Sequence, residues 1–213
     1  MGMNILLKKL YLEKREFITS AELHAYCAGL RENYADSVRY LMGAGYLIRI
    51  FKGVFYLKGI EERKLGSSRY THLELVAKGL EIKGVKEWYF GLHSALKFNN
   101  MTHEEFGIEE VMNSEILRNK PMKIAGHNFK VHKISKKLLG FGTVTENGLN
   151  YSDKEKTVLD FIYLWRYGGA SKEKIASDIY DWAKNLDRKK LEKYSKNYPK
   201  AVANMLKEVF NWT

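Results

Sequence analysis

The sequence predicts an α+β protein. A small helical N-terminal domain closed by a β-hairpin precedes a mixed α/β domain with a small antiparallel sheet and a helical C-terminus. Three observations predict it. Apolar residues recur at helical spacing three times before residue 45. Two apolar runs, Leu47 to Phe51 and Val54 to Leu57, flank Lys52-Gly53 in a hairpin pattern. Short runs broken by turn residues fill Glu110 to Ser152, after which helical spacing returns.

Taken in order, Leu6, Leu7, Leu10 and Tyr11 place a first helix at about Asn4 to Lys14. A second opens with Ser20 as cap, carries Leu23, Tyr26 and Cys27 on one stripe, and can end at Gly29. In the third, "YADSVRYLMGAG", Ala35, Val38, Leu41 and Met42 share a face, and Gly45 suits the C-terminus. The hairpin then pairs Phe51 with Val54, Ile50 with Phe55, Arg49 with Tyr56 and Ile48 with Leu57. Alternation puts Ile48, Ile50, Phe55 and Leu57 on one face, and Arg49, Phe51, Val54 and Tyr56 on the other.

Three helices followed by a basic-tipped hairpin make the order of a winged helix-turn-helix over residues 1–58. "KGIEERKLGSSRY" reads as a linker over 59–70, leaving 71–213 as the second domain. There "THLELVAKGLEIKG" and "YFGLHSALKFNN" read as helices, and turns are expected at Gly126-His127 and Asn147-Gly148. Ser152 and Glu155 fit a capping box ahead of "KEKTVLDFIYLW". Three amphipathic helices follow: Ser171 to Lys184, Asp187 to Ser195, and Pro199 to Phe210.

The balance of charge bears on partners. Lys and Arg outnumber Asp and Glu by 36 to 25, a net +11, which favours a polyanion such as nucleic acid. Cys27 is the single cysteine, which excludes an intramolecular disulfide and a cysteine-based zinc site. The opening "MGMNILLKKLYLEKREF" lacks a secretory pattern, and no window approaches the roughly 20 apolar residues of a membrane span. A cytoplasmic protein is expected.

A recognition helix lays its solvent side in the major groove of double-stranded DNA. Opposite Val38 the third helix carries Asn33, Asp36, Arg39 and Tyr40, with Ser37 at the edge. Asn33 can pair with adenine, Arg39 with guanine or a phosphate, and Ser37 and Tyr40 with phosphate oxygens. Arg31 precedes the helix as a phosphate anchor. Arg49 and Lys52 would meet the backbone or minor groove from the wing. The alternative is a winged helix used for protein docking, with the same residues as ordinary surface.

Enzymatic patterns are weak and no cofactor is expected. None of the six histidines forms an H-E-x-x-H pair, and "GLHSAL" is not a nucleophile elbow. "GSSRY" lacks the paired aspartates of a nucleotidyltransferase. Glu81-Ile82-Lys83 matches half of an E-x-K nuclease motif, but in a segment that reads as helical. Asp153, Glu155 and Asp160 read as helix-capping and structural rather than as a carboxylate site.

Three stretches carry a resemblance. They are "ITSAELHAYC…YADSVRYLMGAGYLIRIFKGVFYL", "WYFGLHSALKFNNMTHE" and "YSDKEKTVLDFIYLWRYGG". Their order and spacing resemble the AbiEi family, the antitoxin half of the type IV AbiE abortive-infection systems. The resemblance implies a non-enzymatic antitoxin that represses its own operon by binding inverted repeats through the winged helix. It also implies a C-terminal domain that counters a nucleotidyltransferase toxin. The positions it carries over are Asn33, Ser37, Arg39, Tyr40 and Lys52.

Overall fold

Helix α1 (Ile5–Leu12) buries Leu6, Leu7 and Leu10, the face its spacing predicts. The structure is a computed structural model and describes residues 5–183 and 186–210, the side chains of 209 and 210 excepted. Asn4 and Lys184, expected at helix ends, lie outside the described residues. The chain is mixed α+β, with ten α-helices and two sheets among the described residues. It divides into two compact units: Met1–Lys86 with Ile124–Gly126, and Glu87–Lys123 with His127–Thr213. No helix among the described residues is long and apolar enough to cross a membrane.

In the first unit a strand absent from the sequence reading, β1 (Phe17–Thr19), leads into α2 (Ser20–Leu30). The cap of α2 is Thr19, one residue before the expected Ser20. Its hydroxyl accepts from Glu22 N, and Glu22 reaches back to the Thr19 amide, satisfying two donors that the helix itself leaves open. Gly29 does not end the helix. Arg31 takes the left-handed position instead (φ 56°) and returns its N–H to Ala28 O.

Helix α3 (Tyr34–Gly43) turns Val38 and Leu41 inward. Strands β2 (Leu47–Phe51) and β3 (Val54–Leu57) follow, and β1 adds to form an antiparallel sheet in the order β1-β3-β2.

The hairpin register differs from the two-residue ladder expected. Phe51 faces Val54, but Arg49 faces Phe55, Ile48 faces Tyr56 and Leu47 faces Leu57, because Ile50 is bulged between Arg49 and Phe51. The bulge buries both Ile50 and Phe51. Leu47, Phe55 and Leu57 join the helical core of Leu6, Leu10, Leu23, Val38 and Leu41.

The segment 59–70 is no bare linker. It forms α4 (Ile60–Leu65), and α5 (His72–Ile82) packs on β2 and β3, so the first unit runs past residue 58 to Lys86. Gly79 makes that packing possible: a Cβ there would stand 2.5 Å from Ile50 Cγ2 and 2.9 Å from the Phe51 ring. Gly79→Ala should therefore destabilise by about 1–2 kcal/mol, although alanine normally favours a helix interior over glycine. Urea denaturation gives the sign, and a gain in stability would remove this close approach from the account.

The second sheet has six strands in place of the small antiparallel sheet expected. These are β4 (Trp88–Phe90), β5 (Glu109–Asn113), β6 (Met122–Ile124), β7 (His127–Lys133), β8 (Thr143–Glu146) and β9 (Leu149–Ser152). The order is β6-β7-β5-β4-β9-β8, and β5–β7 and β4–β9 run parallel. Three residues of β4 are too few to show alternation, and "YFGLHSALKF" reads as one helix when it is strand then helix α6 (Leu92–Phe98). Ala125 and Gly126, not Gly126-His127, hold the left-handed turn (φ 47° and 90°).

Helix α7 (Lys154–Tyr167) is almost wholly buried through Ile162. It centres a core with α8 (Lys172–Ala183), α9 (Arg188–Ser195) and α10 (Lys200–Phe210). Its cap is Asp153, whose Oδ1 accepts from Lys156 N. Ser152 pairs with the Thr157 hydroxyl, and Glu155 turns to Asp187 N and Lys190, so the expected capping box does not form.

Candidate functional site

The exposed face of α3 carries Asp36, Arg39 and Tyr40. Arg39 Nη1 lies 3.1 Å from Asp36 Oδ1, both side chains well exposed, an arrangement typically worth under about 1 kcal/mol. Such a pair holds the guanidinium loosely and leaves it free to swing to another anion.

Asn33 is the cap of α3, not part of its face. Its Oδ1 accepts from Asp36 N at 3.1 Å, so the amide group stays at the helix start. Ser37 is turned inward, 7% exposed, and its hydroxyl donates to Glu32 Oε2 at 2.9 Å. One turn of helix separates it from Leu41, and that side of α3 faces the end of α2. Ser37 is thereby withdrawn from the surface.

Arg31 is exposed in the turn between α2 and α3, fixed by its left-handed backbone. Arg49 lies on the strand rather than the tip, exposed, with its guanidinium over the Phe55 ring at 5.4 Å. The bulge at Ile50 puts it opposite Phe55 instead of Tyr56. Lys52 is exposed at the turn itself, and Gly53 beside it takes the left-handed conformation the turn requires (φ 81°).

One residue that the sequence offered only as a cap ties these segments together. Ser20 N donates to Gly53 O at 2.9 Å, and Ser20 Oγ accepts from Tyr34 Oη at 3.1 Å. The start of α2, the start of α3 and the hairpin tip thus meet at one residue, through its main-chain N–H and its hydroxyl. Tyr34 also stacks on the exposed His24 ring at 3.5 Å.

A Cβ on Gly53 would lie 3.3 Å from Ser20 Oγ and 4.0 Å from Lys83 Nζ, so the end of α5 brings a second exposed cation to the tip. In the sequence Lys83 stands out only as half of an E-x-K motif. In the fold Glu81 pairs with Lys78 on the helix surface and Lys83 caps α5, which is not the strand-end geometry of that chemistry. Nothing local in the sequence links Ser20, Tyr34, Gly53 and Lys83.

The second unit holds its polar groups in buried clusters. Glu110 accepts from His93 Nδ1 at 2.7 Å and His132 Nε2 at 2.9 Å, and the His93 amide adds a third bond. Burial pushes the carboxyl up, but the bonds from His132 and His93 outweigh it and hold Glu110 at about 2. A depressed folded pKa means stability present above the usual carboxylate range and lost as pH falls from roughly 4.5 toward 2. Across that window the native protein should lose about 3 kcal/mol more than Glu110→Gln does. Denaturation midpoints against pH test it, and parallel acid curves would refute it.

Asp160 is fully buried. It accepts from Tyr89 Oη at 2.8 Å and Tyr198 Oη at 2.7 Å, with Lys156 Nζ 3.6 Å away. Lys156, also fully buried, donates to Leu138 O at 2.6 Å and sits over the Phe141 and Tyr89 rings. Burial pushes each member of the pair toward its neutral form. Asp153 and Glu155 share Lys190. Asp160 thus pairs with Lys156, apart from the Lys190 pair of Asp153 and Glu155. Among the described residues no group of three or more His, Cys, Asp or Glu side chains is arranged to hold a metal ion.

The chain is a two-unit α+β protein whose first unit exposes Arg31, Arg39, Arg49, Lys52 and Lys83. No protein-family model matches it, and no curated protein matches it in sequence. Its structure is similar to the crystal structure of the Rv2827c protein from Mycobacterium tuberculosis, with a TM-score of 0.57 and 10% identity. The match covers 97% of this chain and 75% of that one. At that identity the likeness concerns the fold alone.

Proposed function

We propose that the first unit is a winged helix-turn-helix that binds double-stranded DNA, with α3 as recognition helix and the β2–β3 hairpin as wing. The observation that carries this reading is the junction at Ser20, which holds the start of α3 and the hairpin tip together, with Lys83 Nζ 4.0 Å from where a Cβ on Gly53, the neighbour of Lys52, would stand. A helix N-terminus entering the major groove beside a basic tip on the flanking phosphates needs that juxtaposition. The net +11 supports a polyanionic partner.

On this reading Arg39 and Tyr40 face the bases or nearby phosphates, Asn33 and Arg31 stand at the helix start, and Lys52 and Lys83 hold the backbone. Arg49 stiffens the hairpin through Phe55. The resemblance to the AbiEi family extends the proposal to a cytoplasmic antitoxin that represses its own operon, while the second unit counters a nucleotidyltransferase toxin. No catalytic role or cofactor is assigned.

Fluorescence anisotropy with the protein's own upstream DNA and a scrambled duplex, across a salt series, tests it. The upstream site is expected to bind tighter, with the preference kept at ~150 mM salt. Equal, steeply salt-sensitive binding to both duplexes would reduce the charge to a general polyanion handle. Protein docking would then take its place.

A further inference from the structure

Positive charge in the second unit is concentrated in one segment. Residues 186–200 carry six Lys or Arg against two Asp or Glu, whereas the rest of that unit carries 15 against 14 and is nearly balanced. The segment holds α9, which opens on Asp187, whose Oδ1 accepts from Lys190 N at 3.1 Å.

One side of α9 is fixed to the core. Leu191 and Ser195 are buried, Lys190 pairs with Glu155 at 2.7 Å and Asp153 at 3.0 Å, and Tyr194 Oη donates to Asp153. The other side is cationic. Lys189, Lys193 and Lys196 stand at i, i+4 and i+7, which places them on one face, and all three are exposed. None of the three makes an ion pair among the described residues. The nearest acids in sequence are committed elsewhere, Asp187 to the cap and Glu192 to Arg188 at 3.0 Å. Like charges at this spacing repel one another, and an external polyanion offsets that cost.

The composition of the segment selects among polyanions. No large apolar side chain of residues 186–200 is exposed, so the face offers nothing to insert into a lipid surface and no open ring on which single-stranded bases could stack. Its lysines follow each other at about 4–6 Å along the helix axis. That suits a dense, regular row of phosphates such as a duplex presents.

We infer that this face of α9 is a second DNA contact, which binds the phosphate backbone of duplex DNA without regard to sequence. The choice of DNA as the duplex rests on the reading of the first unit.

The test is fluorescence anisotropy of the full chain with the upstream duplex, the scrambled duplex and a single-stranded RNA of equal length, across a salt series. Lys189→Gln, Lys193→Gln and Lys196→Gln together should weaken binding to both duplexes alike, on the order of tenfold at ~50 mM salt, and lower the salt slope by about 2–3. Lys→Arg at the same three positions keeps the charge and should keep both affinity and slope. Lys120→Gln, Lys133→Gln and Lys137→Gln, exposed elsewhere in the same unit, remove equal charge and should change affinity less than about threefold. An equal loss in that control would mean that net charge alone acts. That result, an unchanged slope in the α9 glutamine variant, an arginine variant as weak as the glutamine one, or a loss confined to the RNA would overturn the inference. Failure of the first-unit reading shows differently: the upstream duplex then has no advantage over the scrambled one, while the α9 effect persists on both.

Discussion

Lys156→Ala is expected to cost the second unit about 3–5 kcal/mol, the usual penalty for removing one partner of a buried ion pair. Both Lys156 and Asp160 are completely buried, so the alanine leaves a carboxylate with no counter-charge and only two tyrosine hydroxyls. It also frees the Leu138 carbonyl and opens space between the Tyr89 and Phe141 rings. The double variant Lys156→Met with Asp160→Asn is neutral at both positions and should recover at least half of the loss. Urea denaturation at neutral pH measures both. A single-variant loss below about 1 kcal/mol would mean that the pair is not what holds α7 against β4 and the loop before α10.

The second large effect concerns DNA. Arg39→Ala with Lys52→Ala should lower affinity for the upstream site roughly 10²- to 10³-fold. The estimate combines a bidentate base contact of about 1–3 kcal/mol with a phosphate contact. The salt slope should fall by about 1 for each phosphate contact removed. Stability should hardly change, because Arg39 and its partner Asp36 are both exposed and Lys52 lies at an exposed turn. Asp36→Ala serves as control: it releases Arg39 and removes a negative charge, so affinity should rise. If the double variant binds with unchanged affinity and slope, α3 and the hairpin tip are not the DNA-binding elements.

Periodicity made much of the helical framework readable. Leu6, Leu7 and Leu10, then Leu23 and Cys27, then Val38 and Leu41 repeat at helical spacing, and all are buried. Helix ends were legible to within a residue or two, since neighbouring Thr19 and Ser20, or Ser152 and Asp153, offer almost equal caps. Long-range pairing decides which is used: Ser20 is drawn into contact with Gly53 and Tyr34, and Ser152 into one with Thr157.

The candidate site was only half legible. Arg39, Tyr40 and Lys52 are exposed as helical and hairpin geometry requires. Ser37 lies at the edge of its face, where the position of Glu32 settles its direction, and the ladder through Arg49 depends on one bulged residue. That bulge is stable because Gly79, twenty-nine residues beyond Ile50, leaves room for Ile50 and Phe51 together.

What the sequence by itself determined is the existence and order of the helices other than α4, the hairpin and its basic turn, and the excess of positive charge. These follow from local periodicity, turn chemistry and composition, which short windows contain. Only the tertiary structure decided the hairpin register, the extension of the first unit through α5 and the parallel pairing of β4 with β9. It alone decided the meeting of Ser20 with Tyr34 and Gly53, and the burial of Lys156 with Asp160. Each depends on contacts between residues far apart in the chain, where packing and hydrogen-bond satisfaction choose among arrangements that local preference leaves nearly equal.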